Sequence, residues 1–536
     1  MTDMLRMTRI LRFAIFGALF GVFGCGEKEE VIDESGDVGE PTFDPVPARG
    51  DLSIRRVEFN PSIGVDVALD GEWVGATGRQ GQIPRYREAM VRVFWGELPA
   101  DWTPRKLIAR FTVEKPGGEI VEIDNYRGPL LVEEESDEGQ FDNQFFVHIS
   151  AQHVVPGAKF QVGLLEAEPG YEAIPESSPP SVALLDGPEY IGVEASPMET
   201  RVVIVPVQYT WMECISDTAT LTEAERAGFS DLLAKSNPIE AAKITWRETG
   251  IVRTTQIGDP PDLWGALQQI RAEDEPDPNV FYYALYDSCG GAFGTLGTAP
   301  TANIPPTQSA ATARFASGKW FKEQNVSAWE TFVHEIGHVQ SNRHADCGGA
   351  AGTDSDYPHE AANIGVWGFD IEPQKPGLFI YAPNTGKDYM SYCSPSWVSD
   401  YRWKRLFDHM RELTSWDYAS MEPTPDAEGA VKLTGVVYAD GTHQWWIVDG
   451  LIASDIGNVM EPISTGSDAT ALSWPAVRSD VQDMEGSSFI QIQLGSEDDV
   501  AKILKSGLQF RLDGLDYGVE GASVEDLRRA ATLQQP

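Results

Sequence analysis

Three of the eight histidines in this 536-residue chain fall within eleven residues, in His334-Glu-Ile-Gly-His338-Val-Gln-Ser-Asn-Arg-His344. No other stretch restricts the fold as tightly. His334 and His338 are four apart and share one face if the segment is helical. Trp329, Phe332, Val333 and Ile336 stand at i, i+3, i+4 and i+7, which predicts a buried helix. Ser327-Ala-Trp-Glu330 has the form of a capping box and puts the helix start near Ser327. His344 can rejoin the other imidazoles only if the chain turns sharply after Val339, and Asn342 suits the left-handed conformation such a turn needs. Gly337 removes a side chain where a neighbour packs close. The spacing H-E-x-x-H presents two imidazoles to one ion. Glu335, rotated about 100° from His334, can then hold a water beside the ion rather than ligate it. By composition, a chance H-E-x-x-H in a chain with so few histidines is on the order of 1%, and the third histidine lowers that to about 0.01%, so the segment is read as a metal site.

The pattern around this helix divides the chain. From Asp51 to Glu168 short alternating runs such as Met90-Val-Arg-Val-Phe-Trp95 and Leu107-Ile-Ala-Arg-Phe-Thr-Val113 are separated by turn residues, which predicts an N-terminal β-sandwich over 51–180. Pro175-Glu-Ser-Ser-Pro-Pro180 reads as a linker. Arg201-Val-Val-Ile-Val-Pro-Val207 and Val280-Phe-Tyr-Tyr-Ala-Leu-Tyr286 are near-continuous apolar runs, as in strands buried on both faces. Helical stretches from Thr222 to Ser236 and from Asp262 to Ile270 alternate with them, so 199–420 reads as an α/β half-domain leading into the histidine helix. A second linker at Pro423-Thr-Pro425 precedes strands such as Gln444-Trp-Trp-Ile-Val448 and a C-terminal β-domain over 430–536.

With 82 acidic against 41 basic residues the net charge is −41, which argues against nucleic acid as a partner. Acidic clusters such as Asp354-Ser-Asp356 leave structural calcium open, without a complete calcium-loop motif. Arg6, Arg9 and Arg12, then the apolar run Phe13 to Gly24, form a targeting segment too short to span a bilayer. Its end, Val22-Phe-Gly-Cys25, is similar to a bacterial lipoprotein signal. That implies a signal peptide over 1–24, lipidation of Cys25 and anchoring to a membrane at the cell surface or facing the periplasm. An ordinary secretory peptide or an uncleaved anchor would export the chain equally. Residues 25–50 are acidic and rich in Pro and Gly and read as a flexible tether. Cys214, Cys289, Cys347 and Cys393 remain, an even number that favours two disulfides in an oxidising compartment. Three pairings exist. Cys347–Cys393 is favoured because each lies just beyond a part of the proposed site, which leaves Cys214–Cys289. A monomer is expected.

Downstream lies Asp388-Tyr-Met-Ser-Tyr-Cys393. An H-E-x-x-H helix, a third histidine beyond a turn and a later Met-Ser-Tyr together resemble the metzincin zinc metalloproteases of the secreted bacterial kind, with a Met-turn similar to that of serralysins and astacins. The resemblance covers about residues 199–415. It implies an α/β (α+β) zincin catalytic domain, here flanked by two β-sandwich-like domains that it does not reach. It implies zinc on His334, His338 and His344, Glu335 as general base, Met390 beneath the metal, and Tyr392 reaching the metal or a developing oxyanion, where a packing tyrosine is the alternative. The family glycine of the turn is Ser341 here, so a re-shaped turn is expected. The implied activity is zinc-dependent endopeptidase action on extracellular protein or glycoprotein, with an extended peptide pairing to an edge strand above the cleft. The alternative is a catalytically degenerate, surface-anchored binding or adhesin lipoprotein. Ser341 is the only feature in its favour, and Glu335 argues against it.

Overall fold

Alternation along the strands decides the architecture of the N-terminal third. In Arg105–Glu114 and Lys159–Glu166 the buried side chains fall at every second position, as a strand packed on one face requires. These two pair antiparallel, and a second antiparallel sheet is built from Ile54–Asn60, Val65–Leu69, Ala89–Trp95 and Phe145–Ile149. The inner faces meet through Phe59 and Phe111, whose ring centroids are 6.4 Å apart. The computed structural model describes residues 43–126, 128–177, 181–290, 294–371, 380–417, 430–452, 456–459, 463–465, 472–506, 508–512, 515–519 and 524–532. The expected signal segment, Cys25, nearly all of the tether and the linker at Pro423 lie outside them.

Two boundaries move. Val46–Pro47, placed in the tether by composition, pairs with Lys159–Glu166. Val182–Ala183 and Glu189–Tyr190, beyond the expected linker, pair with the same strand. Both segments are too short to carry a periodic signal, and the long strand Lys159–Glu166 offers them unpaired backbone.

The middle of the chain is a mixed sheet. The 13-residue strand Glu199–Trp211 runs parallel to Val280–Tyr286, which runs parallel to Phe315–Lys319. The short strand Gly297–Thr298 closes the edge antiparallel to Phe315–Lys319. Helix α1, Glu223–Ser236, opens with the expected capping box, Thr222 and Glu225 bonding reciprocally. Helix α2 is Trp264–Asp274 and helix α3, Asn325–Val339, carries the first two histidines. Gly228 of α1 lets the Trp329 ring of α3 lie against its backbone, where a Cβ would come within 2.1 Å of the indole. The Trp329 indole N–H donates to Glu225 O at 2.9 Å. Phe332 stands edge-on to Tyr283 of the sheet at 4.9 Å and to Phe229 of α1 at 5.1 Å. Trp329, Phe332, Val333 and Ile336 are all buried, as their spacing predicts.

The start of α3 differs from the expectation. The Ser327 and Ala328 N–H groups bond to Gln324 O, so the helix begins at Asn325 with Gln324 as N-cap and no side-chain cap. The Ser-x-x-Glu pattern therefore lies within the first turn.

Helix α4, Asp400–Ser415, packs its Trp403, Leu406 and Met410 inward, and its Trp403 indole donates to Gln82 O of the N-terminal region. The C-terminal region is more than strands. An antiparallel sheet of His443–Asp449, Val431–Val437, Ser488–Leu494, Ala476–Asp480 and Asn458–Val459 is joined by α5, Glu497–Ser506, and α6, Val524–Thr532. This sheet does not stand apart from the middle of the chain. Trp264 of α2 is held edge-on between Phe315 of the central sheet, at 5.4 Å, and Phe489 of the C-terminal sheet, at 5.7 Å. Residues from Pro45 onward accordingly form one compact unit. The fold is strand-rich and mixed α+β. Among the described residues no helix is long and apolar enough to cross a membrane.

Candidate metal centre

Helix α3 delivers His334, Glu335 and His338 to a buried place, 8%, 2% and 0% exposed. After Val339 the chain reverses at Ser341, which holds φ +67°, and His344 returns beside the other two. Ser341, rather than Asn342, takes the left-handed conformation, and the turn keeps its sharp form. A serine there carries a penalty of roughly 1–2 kcal/mol. Its hydroxyl donates to Ile304 O, an interaction a glycine lacks.

The three imidazoles are oriented by carbonyls. His334 Nδ1 donates to Tyr389 O at 2.8 Å, His338 Nδ1 to Asn342 O at 2.8 Å, and His344 Nδ1 to Ala351 O. A carbonyl can only accept, so each proton resides on Nδ1 and each Nε2 presents a lone pair. Those lone pairs converge, with His344 Nε2 at 3.1 Å from His338 Nε2 and 3.2 Å from His334 Nε2. Burial pushes the His334 imidazole down to about 3 and lowers that of His338, so both favour the neutral, ligating form. Three ring nitrogens facing one another at this distance, with the Asp483 carboxylate beside them, could hold one metal ion. The donor set fits a divalent metal that accepts imidazole nitrogen.

The segment beneath the histidines is tied as a unit. Met390 is fully buried against Gly337, where a Cβ would come within 2.4 Å of its Sδ. Its N–H donates to Asp388 Oδ1 at 2.9 Å, and its carbonyl accepts from Ala345 N at 2.9 Å. Asp388 also accepts from Ser399 Oγ at 2.5 Å and faces the buried guanidinium of Arg402 at 3.4 Å. Arg402 reaches on to Arg343 O at 2.6 Å and to Asp354 Oδ2 at 2.8 Å. The acidic pair at Asp354, considered for calcium, thus has its inner carboxylate already bound by a guanidinium, and it braces the turn. Disulfides join Cys347 to Cys393 and Cys214 to Cys289, the pairing favoured by the sequence. The first fastens the segment after His344 to the one after Tyr392. Such bonds persist in oxidising compartments outside the cytosol.

A cleft of about 1170 Å³ opens in front of His334 and Glu335, walled by Leu296, Gly297, Ser391 and Tyr392. The edge strand Gly297–Thr298 passes directly over Glu335, and a Cβ on Gly297 would lie 2.6 Å from Glu335 Cγ. Burial, then the nearby Asp483 charge, raises the Glu335 carboxyl well above the usual carboxylate range. Tyr392 is half exposed at the mouth of the cleft, its ring centroid 5.2 Å from that of His344. Burial and Asp483 raise its phenol.

One member of the cluster was not anticipated. Asp483, at the tip of the hairpin between Ala476–Asp480 and Ser488–Leu494, points its carboxylate into the three histidines. Oδ1 is 2.9 Å from His344 Nε2, and Oδ2 is 3.3 Å from His338 Nε2 and 3.8 Å from His334 Nε2. The Tyr392 hydroxyl donates to Oδ1. The four potential ligand atoms lie within 4.8 Å of one another, close enough for one metal ion. No local pattern marks this residue. Val481-Gln-Asp-Met-Glu-Gly-Ser487 reads as an ordinary polar turn, and Asp483 is 139 residues from His344.

The remaining histidines stand elsewhere. His148 pairs with Glu88 at 3.0 Å, His359 with Asp400 at 2.6 Å, and His409 is buried on α4. No protein-family model matches the chain, and no curated protein is found to match it in sequence.

Proposed function

We propose that the chain is a zinc-dependent endopeptidase of the metzincin kind, exported and held at a membrane by a lipid on Cys25, acting on extended peptide segments of extracellular protein or glycoprotein. A single observation carries the reading: three imidazole nitrogens converge at a buried place that opens on a cleft, with the Glu335 carboxyl on that side. The fourth group, Asp483, comes from a distant hairpin at the mouth of that cleft, and with it withdrawn an ion on the three histidines would face water and substrate, as a hydrolytic site requires.

His334, His338 and His344 would hold the ion. Bound there, zinc supplies an electrophile that polarises a peptide carbonyl and makes a water acidic near neutral pH. Glu335 accepts a proton from a water in the cleft and passes it to the departing amide nitrogen; its buried carboxyl lies at the cleft wall, where both transfers take place. Tyr392, once its hydrogen bond to Asp483 is released, would donate a hydrogen bond from its phenol to the developing oxyanion. Gly297–Thr298 offers the edge on which an extended peptide lies antiparallel, and the absence of a side chain at Gly297 lets that peptide pass close above Glu335. Met390, Asp388 and Arg402 fix the Tyr389 carbonyl that orients His334, a kind of support whose loss ordinarily costs 10- to 100-fold in affinity or activity.

Because Asp483 stands in the cleft, the test uses an Asp483→Ala background alongside the wild type. In that background the zinc-loaded full-length chain cleaves a peptide library. Adding Glu335→Gln leaves about one zinc per chain, measured by atomic absorption, and lowers kcat/KM by about a thousandfold or more. Equal cleavage with and without Glu335→Gln, or no cleavage by any zinc-loaded form, overturns the reading.

A further inference from the structure

The carboxylate of Asp483 is an unexpected occupant. An acidic side chain at the tip of a C-terminal hairpin has been brought, 10% exposed, against three nitrogens that each present a lone pair. The Tyr392 hydroxyl donates to this carboxylate, and the three ring nitrogens converge on it at 2.9, 3.3 and 3.8 Å. That convergence is what an ion among the four groups, with the carboxylate as its fourth ligand, would produce.

Two further observations show what the hairpin does besides. First, it lies along the rim of the cleft. Gln482 N–H donates to Ala299 O at 2.9 Å, and Ser479 Oγ donates to Pro300 O at 3.2 Å. These carbonyls directly continue the edge strand Gly297–Thr298, so the hairpin takes a backbone position that a peptide lying along that edge would use. Second, it divides the groove. The cleft in front of Glu335 and a second hollow of about 1060 Å³ beside Asn303, Arg343 and Gly352 are both lined by Tyr392 and Asp483. These two side chains, joined by their hydrogen bond, form the wall between the hollows. With Asp483 withdrawn and Tyr392 released, one continuous groove crosses the three histidines.

We propose that the hairpin Ala476–Leu494 is a built-in inhibitor of this metal centre. Asp483 is the fourth ligand and occupies the place of water, Tyr392 is held by the same carboxylate away from any substrate oxyanion, and the 479–482 arm covers the substrate edge. The protein is latent in this form and becomes competent when the hairpin is displaced. The metal ligation stands on the geometry alone; the consequence for peptide cleavage rests on the endopeptidase reading above.

The experiment compares full-length wild type, Asp483→Ala, the near-isosteric Asp483→Asn and, as a control on the same turn, Glu485→Ala, whose side chain is exposed. Each is loaded with cobalt(II) for spectroscopy and with zinc for assay. Removing a ligand changes the visible cobalt absorption of both Asp483 variants and leaves that of Glu485→Ala as in the wild type. Acetohydroxamate, titrated against the cobalt spectrum, binds the Asp483 variants at least tenfold more tightly, because a carboxylate no longer competes for its place. Peptide cleavage by the zinc forms rises at least tenfold. An unchanged cobalt spectrum together with equal hydroxamate affinity in wild type and both Asp483 variants overturns the proposal. Spectra and affinity that respond while no variant cleaves peptide leave the ligand in place and sink the endopeptidase reading. Equal cleavage by wild type and Asp483→Ala, with unchanged spectra, does the reverse.

Discussion

At Gly337 a single hydrogen atom in place of a side chain sets how closely the Met390 segment packs on the histidine helix. The residue sits between His334 and His338 of α3, and its bare Cα faces Met390 Sδ and the Tyr389 ring, which a Cβ would meet at 2.4 and 2.9 Å. Those same two residues carry the carbonyl on His334 Nδ1 and the buried floor of the site. Gly337→Ala must therefore push the turn away from the helix. Overpacking of this kind costs about 1–3 kcal/mol, and the displaced Tyr389 carbonyl lets the His334 ring rotate. Metal affinity is expected to fall by about 10- to 100-fold, as it does when orienting partners of metal ligands are lost. A competitive chelator titration reads the affinity and thermal unfolding reads the stability; an unchanged affinity would show that Met390 and Tyr389 do not orient the site. Much of this was legible from the chain alone. The convergence of the three histidines, the close packing at Gly337 and the burial of Met390 all stand on short local patterns. Asp483 was not, since its meeting with the histidines is produced by the packing of a distant sheet and leaves no mark on its neighbours in sequence.

At the level of elements, strands and helices with a clear period were read correctly, and the departures have local causes. Helix α3 begins two residues before its apparent capping box, because a backbone carbonyl can start a helix that tertiary packing already holds. Short strands such as Val46–Pro47 escape because two residues carry no alternation. Helices α5 and α6 were missed beside stronger β patterns. Helix α4 illustrates a role that period alone could not specify. His409 falls on its buried face, 7% exposed, with Nε2 unpartnered, and burial together with the nearby Arg314 and Arg405 guanidiniums pushes the imidazole down to about 3. The unfolded chain holds this proton below the ordinary histidine value of 6.5, whereas the folded chain refuses it until about pH 3. Stability is therefore full above pH 6.5 and is lost progressively as the pH falls from 6.5 toward 3, by an amount on the order of a few kcal/mol. His409→Leu removes this contribution. In metal-free protein, urea midpoints should fall less steeply over that window in the variant than in the wild type. Parallel curves would place His409 in contact with water.

At the scale of the whole molecule, the central and C-terminal sheets share a core. Composition and turn signals suggest about three domains, and Trp264 of α2 is gripped between Phe315 of the central sheet and Phe489 of the C-terminal sheet, while the Trp446 indole donates to Gln268 of α2 at 2.9 Å. One helix thus serves as the core of two sheets. Phe489 is one residue along the strand that descends from the Asp483 turn, so the depth at which this ring seats bears on where the carboxylate reaches. Phe489→Ala removes a fully buried ring and should destabilise the chain by about 3–5 kcal/mol. Loss of the ring also loosens the hairpin where it leaves the core while leaving every residue of the metal centre intact. If the hairpin is the inhibitor proposed above, Phe489→Ala should raise acetohydroxamate affinity in the cobalt form and peptide cleavage in the zinc form, in the same direction as Asp483→Ala and by a smaller factor. Its cobalt spectrum, with Asp483 still present, should remain a mixture of the two states. A control of similar cost far from the hairpin, Phe59→Ala in the N-terminal sheets, should lower thermal stability comparably without either gain. Matching gains in both variants would mean that general loosening opens the cleft. A gain confined to Phe489→Ala would tie the state of the metal centre to the packing of the C-terminal sheet on α2.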